Sequence, residues 1–177
     1  KYTTTIACYS PAGGIKVPAP VPAAGIVVRP PRSFAEFRRV AALDEKIFLR
    51  LWGKKMSPEA KAGYSLMSDD KMRNIKALIA FKKDKPVAFF GYMPFKGISG
   101  KTYDAVTSWN LFPGLSPAEG RSAFYQAGLW LKKNSKRQNS ISLGAYEKET
   151  VRFFAEGGFT CCRVVVERLA GAKKKRA

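Results

Sequence analysis

The hydrophobic and polar pattern is clearest in the last third of the chain. Asn139 to Gly144 alternates, with Ile141 and Leu143 as the apolar positions, and this period of two predicts a strand. From Glu147 to Glu156 the apolar residues fall at helical spacing, with Val151, Phe154 and Ala155 on one face. Gly157 and Gly158 stop that helix, because glycine enters the left-handed conformation without a Cβ penalty. Phe159 to Glu167 resumes as a strand, since Cys161-Cys162 and the β-branched Val164–Val166 suit a pleated, half-buried surface.

Upstream, Ser33-Phe-Ala-Glu36 reads as a capping box, with Glu36 reaching back to its N-cap. The helix it opens runs to about Trp52, with Phe34, Phe37, Val40, Ala41, Ile47, Phe48 and Leu51 near one stripe and Gly53 closing it. Ser57-Pro58-Glu59 starts a second, shorter helix. Asn74–Phe81 and Pro86–Met93 are strands joined at Lys82–Lys85 as an antiparallel hairpin, and Asp104–Phe112 is a third strand. Ser116-Pro-Ala-Glu119 is a further capping box, opening a helix to about Lys133 that buries Phe124, Ala127 and Leu131. Residues 1–32 read differently. Their six prolines and Gly13, Gly14 and Gly25 favour extended chain over ladders, so the domain is expected over 33–169, with a basic extension before it and a basic tail at 170–177.

The run from Tyr146 to Phe159, YEKETVRFFAEGGF, resembles the closing motif of the GCN5-related N-acetyltransferase (GNAT) family, whose usual form is close to y-x-x-N-x-x-A-x-x-F-Y-x-x-x-G-F. The element order (helix, helix, three strands, helix, strand, helix, strand) is similar to that family's, and Gly25–Val28 would supply the missing first strand. The resemblance implies an α/β fold: a mixed, mostly antiparallel central sheet flanked by helices. It also implies acetyl-coenzyme A at the head of the central helix, on a loop close to Q/R-x-x-G-x-G/A. The matching stretch is Pro117-Ala-Glu-Gly120-Arg121-Ser122. Gly120 is kept, Ser122 is small, and Arg121 offers a cation. Pro117, however, lacks an N–H, and Glu119 puts a carboxylate where phosphates would sit. The family's frequent tyrosine acid falls at Phe154, which has no proton to give; its asparagine falls at Thr150. Tyr125 and Tyr146 are the nearest phenols. Glu45, Asp69, Asp70 and Asp104 are base candidates by residue type only. No catalytic residue is assigned.

Charge changes this picture. The chain of 177 residues, enough for one domain with its own core, carries 32 Lys+Arg against 13 Asp+Glu, a net charge of +19. Residues 1–32 and 170–177 each hold four basic and no acidic residues. An excess of this size repels itself unless an anion neutralises it, and the usual anion is nucleic acid. Phosphate contacts are expected from Arg29 and Arg32, from Lys132, Lys133, Lys136 and Arg137, and from the tail cations Lys173, Lys174, Lys175 and Arg176. Trp52, Trp109 and Trp130 read as core rather than stacking platforms.

With no histidine and three cysteines, Ser/His and Cys/His catalysis, an ordinary zinc site and a disulfide framework are excluded. No metal is expected. No apolar run approaches the ~20 residues that span a bilayer, so a soluble protein is expected. The chain opens on Lys1 rather than Met, which leaves open both a removed targeting segment and a start inside a longer chain. The sequence reading is therefore a catalytically inactive GNAT-fold subunit of a ribonucleoprotein. An organellar (mitochondrial) ribosome fits best, with ribosomal RNA and neighbouring ribosomal proteins as partners and no cofactor. The alternative is an active acetyl-coenzyme A-dependent N-acetyltransferase, in the cytoplasm or the organelle.

Overall fold

The structure, a computed structural model, describes residues 2–23, 25–58, 61–62, 69–97, 100–144 and 147–168. Its strands are β1 (Tyr2–Tyr9), β2 (Ile26–Arg29), β3 (Lys76–Lys82), β4 (Lys85–Lys96), β5 (Thr102–Leu111), β6 (Asn139–Gly144) and β7 (Thr160–Arg168). Its helices are α1 (Phe34–Trp52), α2 (Asp69–Arg73), α3 (Pro117–Asn134) and α4 (Lys148–Glu156), with a 3-10 turn at Gly53–Lys55. The seven strands form one sheet in the order β2-β3-β4-β5-β6-β1-β7. Every neighbouring pair is antiparallel except β5 and β6.

Both faces carry a core. On one, Phe37 and Val40 of α1 pack on Ala77, Ile79, Phe81 and Phe89. On the other, α3 and α4 bury Phe124, Ala127, Leu131, Phe153 and Phe154 against Phe90, Trp109 and Ile141. The β3–β4 turn takes Lys83 and Asp84 to φ 49° and 59°, the left-handed pair that matches hairpin twist. Gly158, at φ 83°, ends α4 as its sequence suggests. Gly53 does not act that way. It stays right-handed at φ −55°, and α1 tightens into the 3-10 turn instead of stopping. The short helix expected from Ser57 lies largely outside the described residues.

The largest correction concerns residues 1–32. Tyr2–Tyr9 is an interior strand, paired with β6 over Thr5–Tyr9 and with β7 over its whole length. The prolines follow it, so none interrupts its ladder, and its Thr-Thr-Thr-Ile run has the β-branched character that strands favour. The segment beyond it is fastened across the helices. Ile15 is fully buried, Lys16 N–H donates to the Gly157 carbonyl at 3.0 Å, and Ala23 N–H donates to Ser122 Oγ at 3.2 Å. Gly128 and Gly157 leave room for it. A Cβ on Gly128 would lie 2.8 Å from Val17, and one on Gly157 would lie 2.7 Å from Ile15. The folded unit thus begins well before residue 33, and Ile26–Arg29 pairs with β3 as the expected first strand.

Candidate functional site

β5 and β6 pair only over Asp104–Val106 against Asn139–Ile141. Beyond that the parallel strands part, β5 continuing to Leu111 and β6 to Gly144. Two cavities flank the opening. One, of about 420 Å³, is walled by Ile47, Phe48, Leu51 and Trp52 of α1, with Asn110 and Glu147. The other, of about 400 Å³, lies between the β5–α3 connection, the head of α3 and α4, among Ser116, Pro117, Arg121, Arg152 and Glu156. Leu111, Phe124 and Glu149 line both.

Two buried carboxylates stand near the parted strands, and one of them, Glu147, lines the first cavity. Asp44 occupies a position of the apolar stripe of α1, four residues from both Val40 and Phe48, and is 3% exposed. It accepts from Ser108 Oγ at 2.6 Å and Asn110 Nδ2 at 2.9 Å. Burial pushes its carboxyl up to about 6, against the pull of those two donors. Glu147, 9% exposed, precedes α4 and turns back so that Oε1 accepts from Gly144 N–H at 2.7 Å. Burial, reinforced by the Asp44 charge, pushes it up to about 7. A carboxyl that titrates near neutrality inside a cavity is suited to taking a proton from a bound group. Neither residue was a base candidate in the sequence. The one available signal was an acid placed on a helix stripe otherwise apolar. Asp104, which was a candidate, is held by Ser135 Oγ at 2.7 Å and Arg137 Nη1 at 3.2 Å under the end of α3, away from this opening.

The head of α3 is built around its own carboxylate. Ser116 N–H donates to Glu119 Oε2 at 2.8 Å, Glu119 N–H returns to Ser116 Oγ at 3.3 Å, and Lys82 Nζ lies 2.8 Å from Glu119 Oε1. The Lys82 ammonium and the Ser116 N–H hold this carboxyl below its usual range. Gly120 N–H is spent on the Ser116 carbonyl, and a Cβ on Gly120 would come within 2.9 Å of Leu111. Its smallness therefore serves packing. Ser122 Oγ accepts from Ala23 N–H and Gln126 Nε2. Arg121 is exposed at the rim of the second cavity. The residues present do not fit a diphosphate at this helix head: Glu119 sets a carboxylate there, bonded to Ser116 N–H and Lys82, and Pro117 removes a donor. Phe154 is 1% exposed, edge-on to Trp109 and Phe159. It is core.

The structure scatters the expected phosphate contacts. Arg29 is committed to Glu36 by two hydrogen bonds of 2.9 and 2.8 Å and lies 4.2 Å over the Phe81 ring. Glu36, held down to about 2 by Arg29 and by Arg32 N–H, is thereby drawn away from the reciprocal capping bond expected of it, although Ser33 Oγ still accepts from Glu36 N–H. Arg32 is exposed. Lys132, Lys133, Lys136 and Arg137 are exposed together at the end of α3. Lys173, Lys174, Lys175 and Arg176, like Tyr146, lie outside the described residues. Trp109 is core, Trp130 packs edge-on to Tyr92, and Trp52 lines the first cavity. Among the described residues no cluster of three or more metal-ligating side chains occurs, and no helix is long and apolar enough to cross a membrane.

No family model and no curated protein matches the sequence. Solved structures do. A GCN5-related N-acetyltransferase from Sphaerobacter thermophilus superposes with a TM-score of 0.57 at 15% identity, over 93% of this chain and 50% of its own. A putative GNAT-family acetyltransferase from Novosphingobium aromaticivorans gives 0.50 at 14%, over 94% and 63%. The PaiA N-acetyltransferase from Thermoplasma acidophilum, solved with coenzyme A, gives 0.51 at 16%, over 76% and 89%. The chain spans about half to two thirds of the length of the first two. These likenesses, with the mixed sheet and flanking helices, show that the chain has the fold of the GCN5-related N-acetyltransferases.

Proposed function

We propose that this chain is a non-catalytic GNAT-fold subunit that binds RNA within a ribonucleoprotein. The disposition of charge carries this reading. A chain of net charge +19 exposes its cations at the end of α3, yet sets its own carboxylate at the head of that helix, where a diphosphate would have to bind. Backbone phosphates meet an exposed lysine and arginine surface without needing a built pocket. An organellar ribosome is the particle this reading favours, with ribosomal RNA and ribosomal proteins as neighbours and the organellar matrix as compartment.

A second reading, an acetyl-coenzyme A-dependent N-acetyltransferase, is favoured by one observation: Glu147 and Asp44 standing buried beside the parted strands, one of them titrating near 7. Calorimetric titration with coenzyme A and acetyl-coenzyme A separates the two. The first reading expects no saturable binding to millimolar ligand; micromolar binding overturns it in favour of the second. Gradient sedimentation of a native extract, with and without ribonuclease, tests the particle. Co-migration with a large species that ribonuclease disperses is expected, and migration as a free protein of about 20 kDa would refute it.

A further inference from the structure

Among the described residues, the α1 side of the sheet is covered over only part of its width. There α1 packs on β3 and β4, and its Asp44 reaches Ser108 and Asn110 on the far half of β5. Toward the other end burial alternates residue by residue. Asp104, Val106, Ile141 and Leu143 are buried on the α3 side, whereas Tyr103, Ala105, Ser140 and Ser142 are half-buried or exposed on this one. Strand register sets three aromatic rings on this bare stretch. Phe95 stands opposite Tyr103, and Tyr9 stands opposite Ser140, which itself neighbours Ala105. The Tyr9 and Tyr103 rings are 5.1 Å apart, and Phe95 is 54% exposed. Cations rim the rings. Lys101 Nζ lies 5.3 Å over Tyr103 and 3.0 Å from Gln138 Oε1, and Lys136, two residues before that glutamine, is exposed. The carboxylate beside them, Asp104, faces the opposite side, where it is buried and holds the Arg137 guanidinium.

We infer that this face binds single-stranded RNA, with bases laid on Phe95, Tyr103 and Tyr9 and phosphates held by Lys101 and Lys136. The inference rests on the RNA-binding reading and assigns it a surface. Every base has a π-face, so rings on an open sheet bind strands without needing a particular sequence. A duplex keeps its bases stacked inside and cannot offer them.

Fluorescence anisotropy of the full chain with a labelled oligouridylate of about 12 nucleotides, and with an RNA duplex of equal length, tests this across a salt series. Phe95→Ala and Tyr103→Leu should each weaken the single strand roughly tenfold, within the range measured for base–aromatic stacking, and leave duplex affinity unchanged. Phe95→Trp should restore binding. Lys101→Ala with Lys136→Ala should lower the salt slope by about 1.4, at ~0.7 per phosphate on a single strand. Phe95 is exposed, so its truncation leaves the core intact, and a loss of binding there is not unfolding. Wild-type binding that neither aromatic change shifts beyond twofold overturns this surface while the RNA-binding reading stands. So does an equal loss on strand and duplex. Failure of the wild type to bind either RNA at about 0.1 M salt overturns both.

Discussion

Glu147 makes the stability of this protein depend on pH in a direction opposite to that of most carboxylates. Its carboxyl titrates at about 7 when folded and at 4.5 as a free side chain. Between those values the folded chain holds a proton that the unfolded chain has released, so stability falls as pH rises from 4.5 to about 7. Below the window both states are protonated, and above it both are ionised. At roughly 1.4 kcal/mol per pH unit, the loss is on the order of 3 kcal/mol. Asp44, pushed from 3.8 up to about 6, adds a contribution of the same sign over a lower window. Few other groups interfere. The chain has no histidine, and Glu36, held down to about 2, contributes stability that is already complete above 4.5 and lost only in stronger acid. Glu147→Gln removes the ionisation and keeps an oxygen for Gly144 N–H. Urea denaturation at pH 4.5, 6 and 7.5 should show wild-type stability declining across the series. The variant should decline less, and at pH 7.5 it should exceed wild type by about 3 kcal/mol. Equal slopes, or a wild type that gains stability over this interval, would refute the buried-carboxyl argument.

Ile6→Pro should abolish cooperative unfolding or cost at least ~3 kcal/mol, because it removes a ladder donor from an interior strand; circular dichroism melting reads this directly. Gly128→Ala improves helix propensity by up to ~1 kcal/mol yet drives a methyl into Val17 and Phe153. The net effect should be a loss of about 1–2 kcal/mol, recovered in a Val17→Ala background, and a stabilised single variant would contradict the packing. Phe154→Tyr restores the family's phenol but buries a hydroxyl among Trp109, Phe153 and Phe159. It should cost about 1–3 kcal/mol in chemical denaturation and produce no acetyl transfer in a coupled thiol-release assay.

From β2 onward most of the architecture was legible in the sequence, because the strands and longer helices there carry local signatures strong enough to stand alone; the short Asp69–Arg73 helix and the 3-10 turn at Gly53–Lys55 carry none. The Ser116–Glu119 capping box, the left-handed Gly158 and the Lys83-Asp84 hairpin turn are settled within a few residues of chain. β1 was hidden by its neighbours: a short Thr-rich strand has little apolar alternation of its own, and the prolines after it dominate the composition of the segment. The Glu36 carboxylate went elsewhere because Arg29, brought in by the β2–β3 pairing, and the Arg32 N–H together take both its oxygens. Asp44 and Glu147 come together only when α1 and the end of β6 meet across the parted strands. No spacing within one element announces such a meeting. Conversely, the proline and the capping carboxylate at the head of α3 were readable, since a missing donor and an added carboxylate are properties of the residues themselves.

The position of β1 has a consequence for how this protein is made. Tyr2–Tyr9 leaves the ribosome among the first residues of this stretch, but its partners in β6 and β7 are nearly the last, and Ser10 bonds Asn139 across 129 residues of sequence. Until those arrive, the strand has two unsatisfied edges and no ladder to join. The β2-β3-β4-β5 side can assemble on the nascent chain as it emerges; the other side closes only after translation has passed Arg168. Pairings this distant fold slowly, and a strand waiting with both edges open invites the wrong partner. A chaperone that shields the first ten residues would guard this protein at its most vulnerable interval.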